Sequence, residues 1–198
     1  MFKKHVISAC IICSSLLSAN ALATDFEITP LVGAMNATDL TTSVGNDTIS
    51  VSTGTNIGIG IAWQDTPTGQ GQVLINYVSH DFTSDVDQKE QSLDILYTHF
   101  NGIAQFRQQN YLTTLSLGIG GAYFQGDYDE ELYASATVAI GTQYKLDDNF
   151  SFVTELRGYA TLVDDEDTLF CQAEQCYAKF EDSLFMEANI SIGVAYKF

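Results

Sequence analysis

The residues that could do chemistry are few in this chain of 198 residues, which has 3 His, 4 Cys, 8 Lys+Arg and 25 Asp+Glu. Acyl transfer or hydrolysis needs a nucleophile, a base and an orienting carboxylate within reach of one another. His80 stands between Ser79 and Asp81, but in an alternating segment neighbours point to opposite faces, so Ser79 and His80 cannot act as a pair. His99 falls where the alternation is hard to follow. Both histidines read as ordinary, and no catalytic or cofactor-binding residue is assigned. Cys171 and Cys176 have no nearby His to complete a zinc set, so in an oxidising compartment they are expected to form a disulfide. The acidic runs Asp127-Tyr128-Asp129-Glu130-Glu131 and Asp164-Asp165-Glu166-Asp167 lack the spacing of an EF-hand loop. They are either a solvated, repulsive surface or a place for Ca²⁺ or Mg²⁺ that could bridge to lipopolysaccharide phosphates. A net charge of −17 excludes a nucleic-acid partner, whose phosphates it would repel.

The amino terminus reads as a targeting segment. Lys3 and Lys4 precede an apolar stretch from Val6 to Leu17, and Ala21-Leu22-Ala23 offers a small-x-small cleavage site. The stretch is shorter than the roughly 20 apolar residues of a spanning helix. Residues 1–23 are therefore expected to be a cleaved signal peptide and 24–198 the exported domain, with Cys10 and Cys13 lost on cleavage. Ile7-Ser8-Ala9-Cys10 has the side chains of a lipidation box, but it would leave almost no apolar stretch before the cut.

The elements that must position the remaining charges alternate with a period of two, the mark of strands with unlike faces. In the last segment Leu184, Met186, Ala188, Ile190, Ile192, Val194, Tyr196 and Phe198 share one face, and Phe185, Glu187, Asn189, Ser191, Gly193, Ala195 and Lys197 share the other. Comparable segments start near Phe26, Ile57, Val73, Leu93, Leu115, Val138 and Phe152, giving eight of about ten residues or more, the length a tilted strand needs to cross a bilayer. Pro30 lacks a ladder donor and is expected to mark a bulge or strand end. The parity breaks over residues 99–110. Connections alternate between short and long, and the four longer ones hold most of the acids. Aromatic residues gather at the segment ends: Phe26, Trp63, Tyr144, Phe150, Tyr196 and Phe198 at one rim, and Tyr77, Phe82, Tyr123 and Phe180 at the other.

These features predict an all-β fold, a closed antiparallel eight-stranded transmembrane β-barrel with an up-and-down meander. Its interior would be just wide enough for side chains to fill. With the apolar face turned to lipid, Glu27, Asp94, Glu155, Arg157 and Glu187 form an inward charged set. Arg157 is expected to pair with Glu155 or Glu187, because a buried guanidinium without a partner is costly.

The terminal stretch Asn189-Ile190-Ser191-Ile192-Gly193-Val194-Ala195-Tyr196-Lys197-Phe198 resembles the last strand of Gram-negative outer-membrane proteins. Together with Phe26-Glu27-Ile28-Thr29-Pro30-Leu31-Val32-Gly33 as a first strand, the chain resembles small eight-stranded barrels of the OmpA/OmpX type. The resemblance implies outer-membrane location, contact with membrane lipid and lipopolysaccharide, and recognition of Ile192, Val194, Tyr196 and Phe198 by the outer-membrane assembly machinery. It implies no cofactor. The function expected is non-enzymatic, serving envelope integrity or surface interaction through acidic outer loops. The alternatives are a narrow solute channel, a lipid-modifying enzyme, though no His-x-Ser-Asn arrangement like that of lipid A deacylases is present, and a soluble periplasmic ligand-binding barrel.

Overall fold

The computed structural model describes residues 25–42, 48–84, 89–164, 170–172 and 175–198. The segment read as a signal peptide lies outside them. Eight strands, β1 (Phe26–Ala37), β2 (Gly54–Thr66), β3 (Gly69–Thr83), β4 (Glu90–Arg107), β5 (Tyr111–Gly126), β6 (Glu130–Lys145), β7 (Phe150–Leu162) and β8 (Leu184–Lys197), pair each with the next, and β8 returns to β1. Closure gives every strand two partners, so backbone N–H and C=O groups are met within the ring, as a bilayer demands.

One end carries tight turns, Pro67-Thr68, Gln108 to Asn110 and Leu146 to Asn149. In the last of these, Asp147 Oδ1 accepts the N–H groups of Asn149 (2.8 Å) and Phe150 (2.7 Å), a side-chain mimic of a backbone turn. The opposite end carries the longer connections, except that β5 and β6 are joined there by only Asp127-Tyr128-Asp129. There Leu40–Thr41 pairs with both Thr48–Ile49 and Lys179–Phe180, which ties the first loop to the last. Cys171–Gln172 pairs with Gln175–Cys176, and the two cysteines are joined by a disulfide.

The apolar face of the alternation points out of the barrel. Ile57, Leu117, Ile119 and Ile190 are each more than 60% exposed on the outer wall, while their sequence neighbours Asn56, Ser116 and Asn189 are buried inside. Such a belt belongs in hydrocarbon, where a Lys or Arg at mid-depth would cost about 2–4 kcal/mol.

Three sequence expectations need correction. Pro30 marks neither a bulge nor a strand end. It lies within β1, pairs with Ile59 of β2 without interruption, and the ladder to β8 only skips Thr29 and Pro30 before resuming in the same register. The register shift in the barrel lies instead at Gln64/Thr66, beside a turn. The irregular region after His99 is continuous strand to Arg107, with odd positions inward throughout β4. That reverses the parity expected for Leu93, Ile95 and Tyr97, all fully buried, and places Asp94 on the outer wall, where its carboxylate accepts the Tyr77 hydroxyl (2.8 Å). Finally, Phe82 and Phe180 are not part of an aromatic girdle. Both are buried in a cluster that fills the loop end of the lumen with Met35, Phe124, Phe170 and Phe185.

Candidate functional site

The lumen is stratified, and each layer follows from which residues the inward parity delivers at that height. At the turn end Glu27 accepts Gln143 Nε2 (3.0 Å), while Gln105 Oε1 accepts Arg107 Nη2 (3.0 Å). These side chains, with Gln64, Gln70 and Lys197, line an open vestibule of about 310 Å³ whose walls stop short of Glu155 and Arg157. At its rim Lys145 pairs with Asp148 (2.8 Å) and Lys197 with Asp25 (2.6 Å). The Asp148 carboxyl is held below the usual carboxylate range by its hydrogen bond to the Lys145 ammonium and by that group's charge. A thin apolar layer of Leu31, Leu74, Val153 and Ala195 is also buried in the lumen.

The middle of the lumen is a polar network. Arg157, with its side chain 1% exposed, grips Glu155 with two donors, Nε to Oε1 at 2.8 Å and Nη2 to Oε2 at 2.9 Å. The bidentate geometry suits a planar guanidinium, and Nη1 adds Thr137 Oγ1 at 3.3 Å. Beside it runs an amide chain: Ser191 Oγ donates to Asn189 (2.7 Å), Asn189 to Asn56 (2.6 Å), Asn56 to Asn76 (3.0 Å), and Asn76 to the Tyr159 hydroxyl (3.0 Å). Tyr159 stacks on Tyr97 at 4.3 Å, and His99 packs against both rings. Inward glycines on β5 make room for this filling. A Cβ at Gly118 would overlap Asn101 Oδ1, and one at Gly120 would strike the Thr98 carbonyl.

Above the rings, Glu187 and His80 form a pair with no side-chain exposure, Nε2 to Oε1 at 2.7 Å. His80 Nδ1 lies 2.8 Å from the Ser52 carbonyl, and Tyr97 donates its hydroxyl to Glu187 Oε2. Two acceptors thus face the two ring nitrogens, an arrangement that an imidazolium satisfies with two N–H groups. The pair links β3, β4 and β8 to the first loop.

Of the inward charges expected from the sequence, Glu27, Glu155, Arg157 and Glu187 face the lumen and Asp94 does not. Arg157 takes Glu155, whereas Glu187 is held by His80 and Tyr97. Sequence reading missed those two partners. For His80 the parity of β3 was available, but its carboxylate lies 107 residues away. For Tyr97, following the polar odd positions Gln91, His99, Asn101 and Gln105 through β4 would have turned it inward. The terminal residues Ile192, Val194 and Phe198 lie exposed on the outer wall, with Tyr196 between the Phe150 and Phe198 rings at 4.8 Å from each.

Comparison with known proteins agrees with this geometry. The sequence profile of the outer membrane protein beta-barrel domain matches residues 9–198. No curated protein matches the chain. Among solved structures, the chain is similar to Neisserial surface protein A, at 13% identity over 88% of this chain and 97% of that one (TM-score 0.52). It is also similar to the outer membrane protein AlkL, solved by solid-state NMR in DMPC bilayers, at 11% identity over 91% and 93% (TM-score 0.56). The outer membrane protease OmpT of Escherichia coli is similar at 7% identity over 91% and 98% (TM-score 0.50). At such identities these likenesses speak for the fold alone.

Proposed function

The chain belongs to the outer membrane protein beta-barrel domain family, and from that premise we propose that it is a non-conducting, non-enzymatic surface protein that serves envelope integrity or surface interaction through its acidic loops. The observation that carries this reading is the apolar filling of the loop end. Phe124 lies 5.5 Å from Phe185 and 6.1 Å from Phe180, and Phe180 lies 5.5 Å from Phe170, in edge-on contacts that leave the lumen mouth occupied by packed rings. A solute channel needs a wetted path through that layer.

In this reading the turn end faces the periplasm and the acidic loops face outward. Residues 1–23 are removed on export, and Ile192, Val194, Tyr196 and Phe198 present the terminal strand to the assembly machinery. The acids of the outer loops present a solvated, negatively charged surface to the outside. Catalysis is disfavoured because both ring nitrogens of His80 are engaged and the ring is sealed from solvent.

Planar-bilayer recording of the refolded protein tests the reading. The expected result is no steady conductance. A steady open level that disappears when the Glu155–Arg157 pair is altered would establish the solute channel instead.

A further inference from the structure

Most charges of the lumen and its turn-end rim close on one another. Arg157 has Glu155, His80 has Glu187, Lys145 has Asp148 and Lys197 has Asp25. Asp147 is taken up by the backbone N–H groups of the last turn. Two charges lining the turn-end vestibule are exceptions. Neither Glu27 nor Arg107 has an opposite charge within 4.0 Å among the described residues. Each is met by a neutral amide instead, Glu27 by Gln143 Nε2 (3.0 Å) and Arg107 by Gln105 Oε1 (3.0 Å). They belong to β1 and β4, three strands apart around the ring, so one recess of about 310 Å³ carries a carboxylate and a guanidinium on different walls.

The amides of the same recess are also incompletely bonded. Gln105 is 5% exposed; its Oε1 accepts from Arg107 and, at 3.4 Å, from Gln64, but its Nε2 has no partner among the described residues. Gln70, 8% exposed, reaches Gln64 Oε1 with Nε2 at 3.5 Å and leaves its own Oε1 unbonded. Both side chains line the recess. A nearly buried amide group without a partner is costly, so this wall favours an occupant that brings an acceptor to Gln105 and a donor to Gln70.

Water satisfies the amides but leaves the two charges apart. A molecule with an ammonium and a carboxylate serves both charges as well, through charge-assisted bonds. The lining charges balance, with Arg107, Lys145 and Lys197 against Glu27, Asp147 and Asp148, which favours no net charge in the occupant. The volume lies at the small end of the range for ligand pockets.

We propose that the vestibule binds one small amino-acid zwitterion, its carboxylate on Arg107 and Gln105 and its ammonium on Glu27. The walls stop short of Glu155 and Arg157, so the ligand is held at the mouth and the lumen stays filled. In the orientation proposed above, it is drawn from the periplasm.

The test titrates the full mature barrel, in detergent micelles at neutral pH, with glutamine, N-acetylglutamine and glutaminamide. Binding is read by calorimetry and by NMR shifts of the turn-end backbone amides. Glutamine carries both charges and an amide to meet Gln70; N-acetylglutamine lacks the ammonium, and glutaminamide lacks the carboxylate. One glutamine is expected per barrel, with each analogue bound about tenfold more weakly, the size of one charge-assisted hydrogen bond. Arg107→Gln should remove the advantage of glutamine over glutaminamide and keep its advantage over N-acetylglutamine. Glu27→Gln should do the reverse. Heat-modifiable gel migration verifies folding. Absence of glutamine binding, or an analogue that binds as tightly as glutamine, would overturn the proposal. So would an Arg107→Gln protein that still prefers glutamine to glutaminamide. If Glu27→Gln fails to fold, Arg107→Gln still decides, because Arg107 is exposed and holds no ion pair among the described residues. A steady conductance in the bilayer would sink the plugged-barrel reading and leave this titration unaffected.

Discussion

Two regions of the same barrel obey opposite rules. Within the belt, outward residues are apolar and inward ones polar, as in Leu117 beside Ser116 or Ile190 beside Asn189. Toward the loop end of β4 the pattern inverts, whereas on β6, β7 and β8 Leu132, Leu162 and Leu184 keep the outer face apolar. On β4, Leu93 and Ile95 point in while Ser92 and Asp94 point out. The strand is continuous and its parity never changes; the solvent outside it does. On β4 the outer positions beyond Leu96, Asp94 and Ser92, suit water rather than lipid, and there the interior turns apolar. At this side of the loop end the wall is thus built like that of a water-soluble protein, with an apolar interior and a polar exterior.

The largest effect that would test this contrast is in the polar half. Arg157→Ala leaves the mostly buried Glu155 carboxylate without its bidentate partner, and should lower unfolding stability in vesicles by about 3–5 kcal/mol. In the apolar half, Leu93→Ala should cost about 3 kcal/mol by opening a cavity, measured in the same urea titration. A loss below about 1 kcal/mol, the level of a surface change, would show that the loop end is not a packed core. The outer wall gives the third comparison. Ile119→Lys, in the belt, should cost about 2–4 kcal/mol, while Gln125→Lys on the same strand and the same face should stay within about 0.5 kcal/mol. If the two lysines cost the same, the boundary between lipid and water is misplaced.

Smaller effects are expected at the two mouths. Cys171→Ser opens a ring of short sequence span and should destabilise the last loop by about 2 kcal/mol, read as faster proteolytic nicking with the barrel left intact. At the turn end, Lys145→Gln should let the Asp148 titration, followed by NMR, return upward toward that of a free carboxylate. The sign follows from the lowered value of Asp148 in the folded protein: its pairing contributes at pH values above the unfolded titration and is lost as pH falls through the folded one.

The strands were legible in the sequence because lipid imposes an extreme contrast across each of them, clearest in β8, where the alternation from Leu184 to Phe198 agrees with the structure. Legibility failed where that contrast failed. Leu93, Ile95 and Tyr97 were read as lipid-facing because they are apolar, and Asp94 as inward because it is charged, although both inferences hold only inside the belt. Phe82 and Phe180 were misplaced for the same reason. Glu155 and Arg157, two residues apart on one strand, could be paired by eye. His80 and Glu187 could not, since what joins them is the curvature of the closed sheet rather than any local spacing.

Pro30 carries one last consequence. A sheet becomes a cylinder only when its first and last members meet, and the imino residue sits on that joint, where rungs are missing at Thr29 and Pro30. The hoop is therefore fastened least firmly at its clasp. Tension that pries the cylinder apart finds fewer rungs to break there than across β1 and β2.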